Sequence, residues 1–584
     1  MKKPFALILA AMMLLSACGQ TSATPETTPD TTEAVIFPAP TAPAQEPEII
    51  REITGQIVDI VMNGQSITVD GSEAADAGDV YISRDIIYYE SRTHYESGNP
   101  YGDGSAKDMH TAEEAAEHLV VNITAPGNYR VSGTLDKGQI RIDLGQDAYE
   151  DPNAVVNLIL DGADITCTVA PAILFRNVYE CDGNWSVETA KADVDTSAAG
   201  ANLILADNSV NTVSGSYVAK IYKDKEGEKK QVKQDGAVYS YMSMNVYGPG
   251  SLDIRAENEG LDSELHLTIY SGKIAIRSDN DGINTNEDGV SVTTIWGGQL
   301  HIMAGLGAEG DGIDSNGYLV IHGGTVVSAA NPAADAGLDS DLGSFIHGGT
   351  VIALGSTMDW AESDSEQVTM NLQFASRQSS DSSILVARED GTVIFAYDPA
   401  TDEVLGENAR SYQGAVISCP HFLVGDSYAI FVGSKITGTE NIGIYDVTVP
   451  TSFTGGLQMA YTGTDVMTHP GFMGDFGGGQ RPEGGFDIPE DRQPGQMPTP
   501  PEGDFTVPEG DFTMPEGQEG NWTFPEGDWS FPEGQMPGGP MPGGQMPGGN
   551  FGGFGGMGTQ NGEAKTIFYM QDKVNFFSGL SPVA

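Results

Sequence analysis

The residues best placed to do chemistry in this 584-residue chain are oxygen donors set beside glycine. Asp281-Gly282-Ile283-Asn284-Thr285-Asn286 and Asp311-Gly312-Ile313-Asp314-Ser315-Asn316 are near copies of one another. Gly260-Leu261-Asp262-Ser263 and Gly337-Leu338-Asp339-Ser340-Asp341 are looser copies, and Asp235-Gly236 opens the series. The glycines at 236, 260, 282, 312 and 337 fall 24, 22, 30 and 25 residues apart. A solenoid rung of three short strands and three turns takes roughly 20–30 residues. Copies at one corner of successive rungs would stack their carboxylate and amide oxygens about 4.8 Å apart. That arrangement can hold metal ions. The plainer account of Asp-Gly is a tight turn with a positive φ at glycine.

The elements that must position these donors read as short strands. Leu265-His266-Leu267-Thr268-Ile269 and Lys273-Ile274-Ala275-Ile276-Arg277 alternate with period two. Leu319-Val320-Ile321-His322 and Thr325-Val326-Val327 are more apolar, but their β-branched content still predicts strands. Glycine pairs at 297–298, 323–324 and 348–349 lead into strands. Helical patterns are scarce; the best runs from Thr111 to Leu119, with Thr111 as N-cap and Glu114 three residues on. It is expected to cap the open end of an all-β solenoid and hide its edge strands.

The ends differ in kind. Residues 1–18 read as a signal, with Lys2 and Lys3 before an apolar run. Leu15-Ser16-Ala17-Cys18 resembles the lipobox of bacterial lipoproteins, which implies cleavage before Cys18 and a lipid on its sulfur. Residues 19–50 are rich in Thr, Pro, Ala and Glu and predict a disordered stalk. Residues 51–110 form a small β region, with a hairpin from Ile53 to Val69 turning at Asn63-Gly64. The solenoid is expected over 111–460. Residues 472–562 change to Pro-Glu-Gly and Pro-Gly-Gly repeats, a composition that cannot offset its own ordering entropy. Within 563–584, Ile567 to Met570 and Val574 to Phe577 read as terminal strands returning to the main domain.

A formal charge of −54 makes nucleic acid a poor partner. It suits an exported protein whose carboxylates await divalent cations. With Cys18 lipidated, Cys167, Cys181 and Cys419 remain, and whether Cys167 pairs with Cys181 stays open.

The middle of the chain, about residues 120–450, resembles bacterial secreted or lipid-anchored carbohydrate-binding proteins built on a calcium-containing right-handed parallel β-helix, akin in fold to pectate lyases. The resemblance is carried by Ile123-Thr124-Ala125-Pro126-Gly127-Asn128-Tyr129-Arg130-Val131-Ser132-Gly133-Thr134-Leu135 and by the coil Val156 to Ile165. The turn at 311–316 is its most specific match, and Ser411-Tyr412 and Phe422 to Asp426 resemble its closing strands. It implies binding of plant-type polysaccharide, acidic pectic chains or cellulose, at the cell surface. Asn284 in place of an aspartate and the broken Asp335-Ala336-Gly337 depart from the pattern and put the number of ions in doubt.

Calcium takes six to eight oxygens, and Asp262, Asp281, Asn284, Asp311, Asp314 and Asp339 are donors of the right kind. Zinc is disfavoured, because His and Cys do not cluster with these motifs. Sugar rings pack their CH faces on aromatics. Tyr239, Tyr241 and Trp296 are the candidate platform, with Tyr247 and Tyr270 nearby. His266, His301, His322 and His347 recur at similar rung positions, as a stack or as plain strand residues. A pectate-lyase reaction would need a base beside calcium, for which Arg255 and Arg277 are the candidates. No Gly-x-Ser-x-Gly elbow or P-loop is present. The sequence therefore reads as a non-catalytic, calcium-dependent polysaccharide-binding protein, with a lyase or a structural surface adhesin as alternatives.

Overall fold

Three parallel ladders, nearly free of helix, run through the middle of the chain. The structure is a computed structural model that describes residues 53–91, 101–102, 104–183, 186–222, 230–356, 359–399, 410–464 and 563–583. The signal, Cys18, the stalk and the segment 472–562 lie outside the described residues.

The first ladder, here the acid ladder, stacks Leu119–Ile123, Gly138–Asp143, Ile173–Asn177, Gly236–Ser240, Glu259–Ser263, Ile283–Thr285 and Ile313–Ser315, all parallel. Leu338 adds a bridge to Ile313. The second, the aromatic ladder, stacks Gly127–Leu135, Val156–Thr166, Ala201–Leu205, Met244–Tyr247, Leu267–Ile269, Val292–Ile295, Tyr318–Ile321 and Gly343–Ile346. The third, the groove ladder, continues from the far end of Val156–Thr166 through Val210–Gly215, Ser251–Ala256, Lys273–Ser278, Gln299–Met303, Thr325–Ala329 and Thr350–Gly355. The chain visits the three in rotation, so each rung supplies one strand to each.

Inward residues stack as columns. Val238, Leu261, Ile283, Ile313 and Leu338 form one, and Ile254, Ile276 and Ile302 another, all fully buried. Burying one such side chain contributes roughly 1.5–3 kcal/mol, and only neighbouring rungs supply the contacts.

The corners explain the glycine pairs. Gly298, Gly324 and Gly349 have φ of 87°, 83° and 89°, the left-handed region that glycine enters without strain. The glycines at 260, 282 and 312 differ. None has a positive φ, and each sits at or beside the start of a strand rather than in a turn. A Cβ on Gly282 would lie 2.5 Å from the Gly312 carbonyl oxygen and 2.2 Å from Ile302 Cγ2. Gly260 and Gly312 are equally tight. Close approach between rungs, not a positive φ, requires glycine here. Asp235-Gly236 is out of step, because Gly236 pairs with Glu259 and Ala237 takes the glycine place.

Strands cover both ends. Ile57–Asn63 adds in parallel to Gly127–Leu135 and forms a hairpin with Ser66–Val69. Val80–Ser83 adds antiparallel to Leu119–Ile123. The helix, Ala112–Ala116, is shorter than expected. Its Thr111–Glu114 capping box is formed, and Ala115 enters the core. The two first-rung edges are paired by strands, not by this helix. At the far end Tyr412–Ser418 pairs antiparallel with Thr350–Gly355 and turns the architecture into a mixed sheet. That sheet includes Thr369–Gln378, Ile384–Ala387, Val393–Tyr397 and Ser427–Thr437. Val574–Pro582 lies parallel to Thr369–Gln378. Cys167, Cys181 and Cys419 are all free thiols, so Cys167 and Cys181 are not bridged.

Candidate functional site

Two files of oxygen donors run along the acid ladder. Register pairs Asp262 with Asn284 and Asn284 with Asp314. Ser315 N donates to Asp339 O, which continues the file. Beside it, Gly260 N donates to Asp281 O and Gly282 N to Asp311 O, setting Glu259, Asp281 and Asp311 in a second file. The six residues expected to hold calcium are therefore neighbours. Glu259 escaped the sequence reading, although Glu259-Gly260-Leu261-Asp262 has the frame of Asp281-Gly282-Ile283-Asn284. Asp235 joins from the flanking strand, and Asp235, Glu259 and Asp262 each place an oxygen within 4.8 Å of the others.

Burial is unequal along the files. Glu259, Asp262, Asp281 and Asn284 are buried, whereas Asp311, Asp314 and Asp339 are partly open. The antiparallel pair Val218–Tyr222 and Lys230–Gln234 leads directly into this region. It brings Lys233 Nζ to 2.5 Å from Asp235 Oδ2 and 3.1 Å from Asn286 Oδ1. Burial alone would lower the lysine pKa. The charges of Asp235, Glu259, Glu264 and Asp262 outweigh it and hold the ammonium well above its usual range.

One cation does not satisfy so many acids. Asn286 Nδ2 donates to Asp262 Oδ1 at 2.7 Å, Asp311 N to Asp281 Oδ1 at 2.7 Å, and Ala336 N to Asp311 Oδ1 at 2.5 Å. Asp262 Oδ2, Glu259 Oε2 and Asn284 Oδ1 are buried and receive no hydrogen bond. Burial, then the Glu259 charge, pushes Asp262 well above the carboxylate range. Burial, then Asp235, raises Glu259. Burial, then Asp339, raises Asp311 to about 7 and Asp314 to about 8. Orphaned acceptors among crowded, desolvated acids are a donor set that a hard, oxygen-seeking cation would fit.

The aromatic candidates separate. Tyr239 lies between Leu174 and Asp262 in the acid ladder, fully buried, and its hydroxyl donates to Glu264. Its ring has no face open to a sugar. Tyr241 meets it edge-on at 5.1 Å and is partly buried against the core. Trp296 belongs to another column, at the end of the aromatic ladder. Ile159, Ile204 and Tyr247 are in register there. Tyr270, Trp296, His322 and His347 follow rung by rung, each donating its backbone N–H to the strand before. The Trp296 and His322 rings stack at 3.7 Å and 8°, and His347 follows at 5.1 Å. Of the four histidines only these two share a position. His266 is buried 3.2 Å from Asp182, and His301 sits on the groove ladder between Ala275 and Val327.

Arg255 and Arg277 are register partners on the groove ladder. Arg255 Nη2 and Arg277 Nη1 each donate to Asp253 at 2.8 Å. Neither is presented to the acid files.

Residues 117–398 match the family described as carbohydrate-binding domain-containing protein. A protein of that description from Acetivibrio thermocellus is 30% identical over 159 residues, covering 27% of this chain and 45% of the relative. This chain thus spans under half of that relative's length. A solved structure described as the polysaccharide lyase-like protein from C. thermocellum, a gadolinium derivative, is 20% identical. It covers 52% of this chain and 94% of its own, at a TM-score of 0.31.

Proposed function

We propose that this chain is a calcium-dependent, non-catalytic polysaccharide-binding protein, a right-handed parallel β-helix held at the cell surface by a lipid on Cys18. The match of residues 117–398 to a carbohydrate-binding family carries the reading. The stacked oxygen files support calcium. Glu259, Asp262, Asp281, Asn284, Asp311, Asp314 and Asp339 would hold it, and the ion would offset their crowded carboxylates and so lessen the repulsion that an acidic polymer meets from a chain of −54. Acidic pectic chains and cellulose are the proposed ligands.

The binding-only reading is supported by the arginines, both engaged on Asp253 and set on a different ladder from the acid files. The test incubates the chain with calcium and polygalacturonate or cellulose. Retention without shortening of the polymer is expected. A steady rise in the ultraviolet absorbance of unsaturated uronate ends, lost in Arg277→Ala, would replace this reading with a lyase. No retention on any polysaccharide would favour a structural surface protein.

A further inference from the structure

Both donor files stop at the same rung. Asp262 is followed along the ladder by Tyr239, whose hydroxyl donates to Glu264, and Glu259 is followed by Gly236. The next strand, Gly236–Ser240, thus sets no carboxylate or amide side chain opposite either acid. Lys233 stands at this end instead. Its Nζ lies 2.5 Å from Asp235 Oδ2 and 3.1 Å from Asn286 Oδ1. Asp235 in turn keeps an oxygen within 4.8 Å of oxygens of Glu259 and Asp262.

The ammonium is held in place through its chain neighbours. Val232 is buried in the core, and buried Gln234 donates through Nε2 to Tyr241 Oη at 3.3 Å. Solvent reaches little of the ion pair, with side-chain exposures of 19% for Lys233 and 13% for Asp235. Salt screens such a pair less than an exposed one. Asn286 carries the order inward. Its Oδ1 accepts from Lys233, and its Nδ2 donates to Asp262 Oδ1 at 2.7 Å. Asp262 Oδ2 is left buried without a donor, as are Glu259 Oε2 and Asn284 Oδ1. Charge agrees with this division. Asp235, Glu259 and Asp262 carry three negative charges when ionised, and the ammonium offsets one. The remainder matches one divalent ion on the inward side. A second such ion at Asp235 would meet the ammonium at close range and repel it.

We propose that Lys233 is the resident cation of the Asp235 end. Its ammonium fills a divalent-cation position there and confines calcium to the donors from Glu259 and Asp262 onward to Asp339. The inference rests on the calcium reading and adds to it the residue that limits the number of ions.

The test counts calcium bound to the full chain by titration calorimetry, after chelator has been removed. Melting in calcium checks that each variant is folded. Lys233→Met keeps much of the apolar stem and removes the charge. It should bind one calcium more per chain than the parent, and adding Asp235→Asn should return the count to the parent's. Lys233→Gln is a second neutral variant and takes over if Lys233→Met does not fold. Equal calcium count and affinity in the parent and a folded neutral variant would overturn the inference and leave the calcium reading standing. Loss of an ion in Asp235→Asn alone would also overturn it, since Asp235 would then be a ligand in the parent. Calcium bound by neither parent nor variants would remove both. Calcium bound by the neutral variant and not by the parent would remove the calcium reading and keep the role of Lys233.

Discussion

Asp262 and Asn284 are register partners on successive rungs, and each buries an acceptor oxygen that no donor reaches. An unsatisfied buried acceptor costs about 1–3 kcal/mol, more when charged. Glu259 adds a third such oxygen one strand position away from Gly260. Lys233 neutralises one edge of this group and leaves the remainder to a cation or to protons.

Calcium should therefore act as a folding ligand. Excess free calcium at about a hundred times Kd stabilises by about 2.7 kcal/mol, and chelator removes that. Asp262→Asn deletes one of the crowded charges and keeps the shape that Asn286 packs against. We expect it to melt higher than the parent in chelator, by about 1–3 kcal/mol, and to lose most of the calcium-induced rise. Equal calcium response in parent and variant would refute the assignment.

Gly282 tests the rung contact. Gly282→Ala puts a methyl against the Gly312 carbonyl oxygen and Ile302, neither the end of a flexible side chain. Overpacking of this kind costs about 1–3 kcal/mol. Gly183, with nothing within 4 Å of its added Cβ and no positive φ, is the control. Urea titrations should show a lower midpoint for Gly282→Ala and an unchanged one for Gly183→Ala.

Much of this was legible because period-two alternation and repeat spacing are local properties. Asp262, Asn284 and Asp314 fall in register since 22 and 30 residues each make one rung, whatever the corner loops do. Asp235-Gly236 misled because a dipeptide carries no register, and Gly236 lands opposite Glu259. Tyr239 misled because alternation says which residues share a face, but not that Glu264 waits inside for a hydroxyl. The contact of Asn441 with Gln299 was illegible, since the two meet only through tertiary folding.

His322 gives a pH signature away from the acid files. Burial between Trp296 and His347, then the His347 charge, lowers its pKa to about 4, against an ordinary value of 6.5. Asp193 and Glu366 oppose the shift without cancelling it. Between pH 6.5 and 4 the unfolded chain binds the proton and the folded chain does not, so this residue withdraws stability as pH falls. His322→Phe keeps the stack and removes the proton site. In calcium-saturated protein its melting temperature should fall less than the parent's across this window. Parallel curves would mean that the ring titrates normally.

The last prediction concerns the return of the chain end. Tyr461 and Lys565 exchange backbone hydrogen bonds, both at 2.9 Å, and Ala460 pairs with Ser581. The two sides of the 472–562 segment are therefore held together by the folded part itself. Replacing residues 465–562 with about four Gly/Ser residues suits an antiparallel connection of this kind. Each halving of a loop recovers about 0.6 kcal/mol of closure entropy, and this replacement is between four and five halvings, about 2.8 kcal/mol in all, so melting should rise. Removing 563–584 is the contrast. It strips Val574–Pro582 from Thr369–Gln378 and takes away the buried Phe568, Phe577 and Leu580. That truncation should unfold the C-terminal sheet, seen as loss of its protection from hydrogen exchange. A large fall in melting temperature on excising 465–562 alone would show that the segment stabilises the folded part.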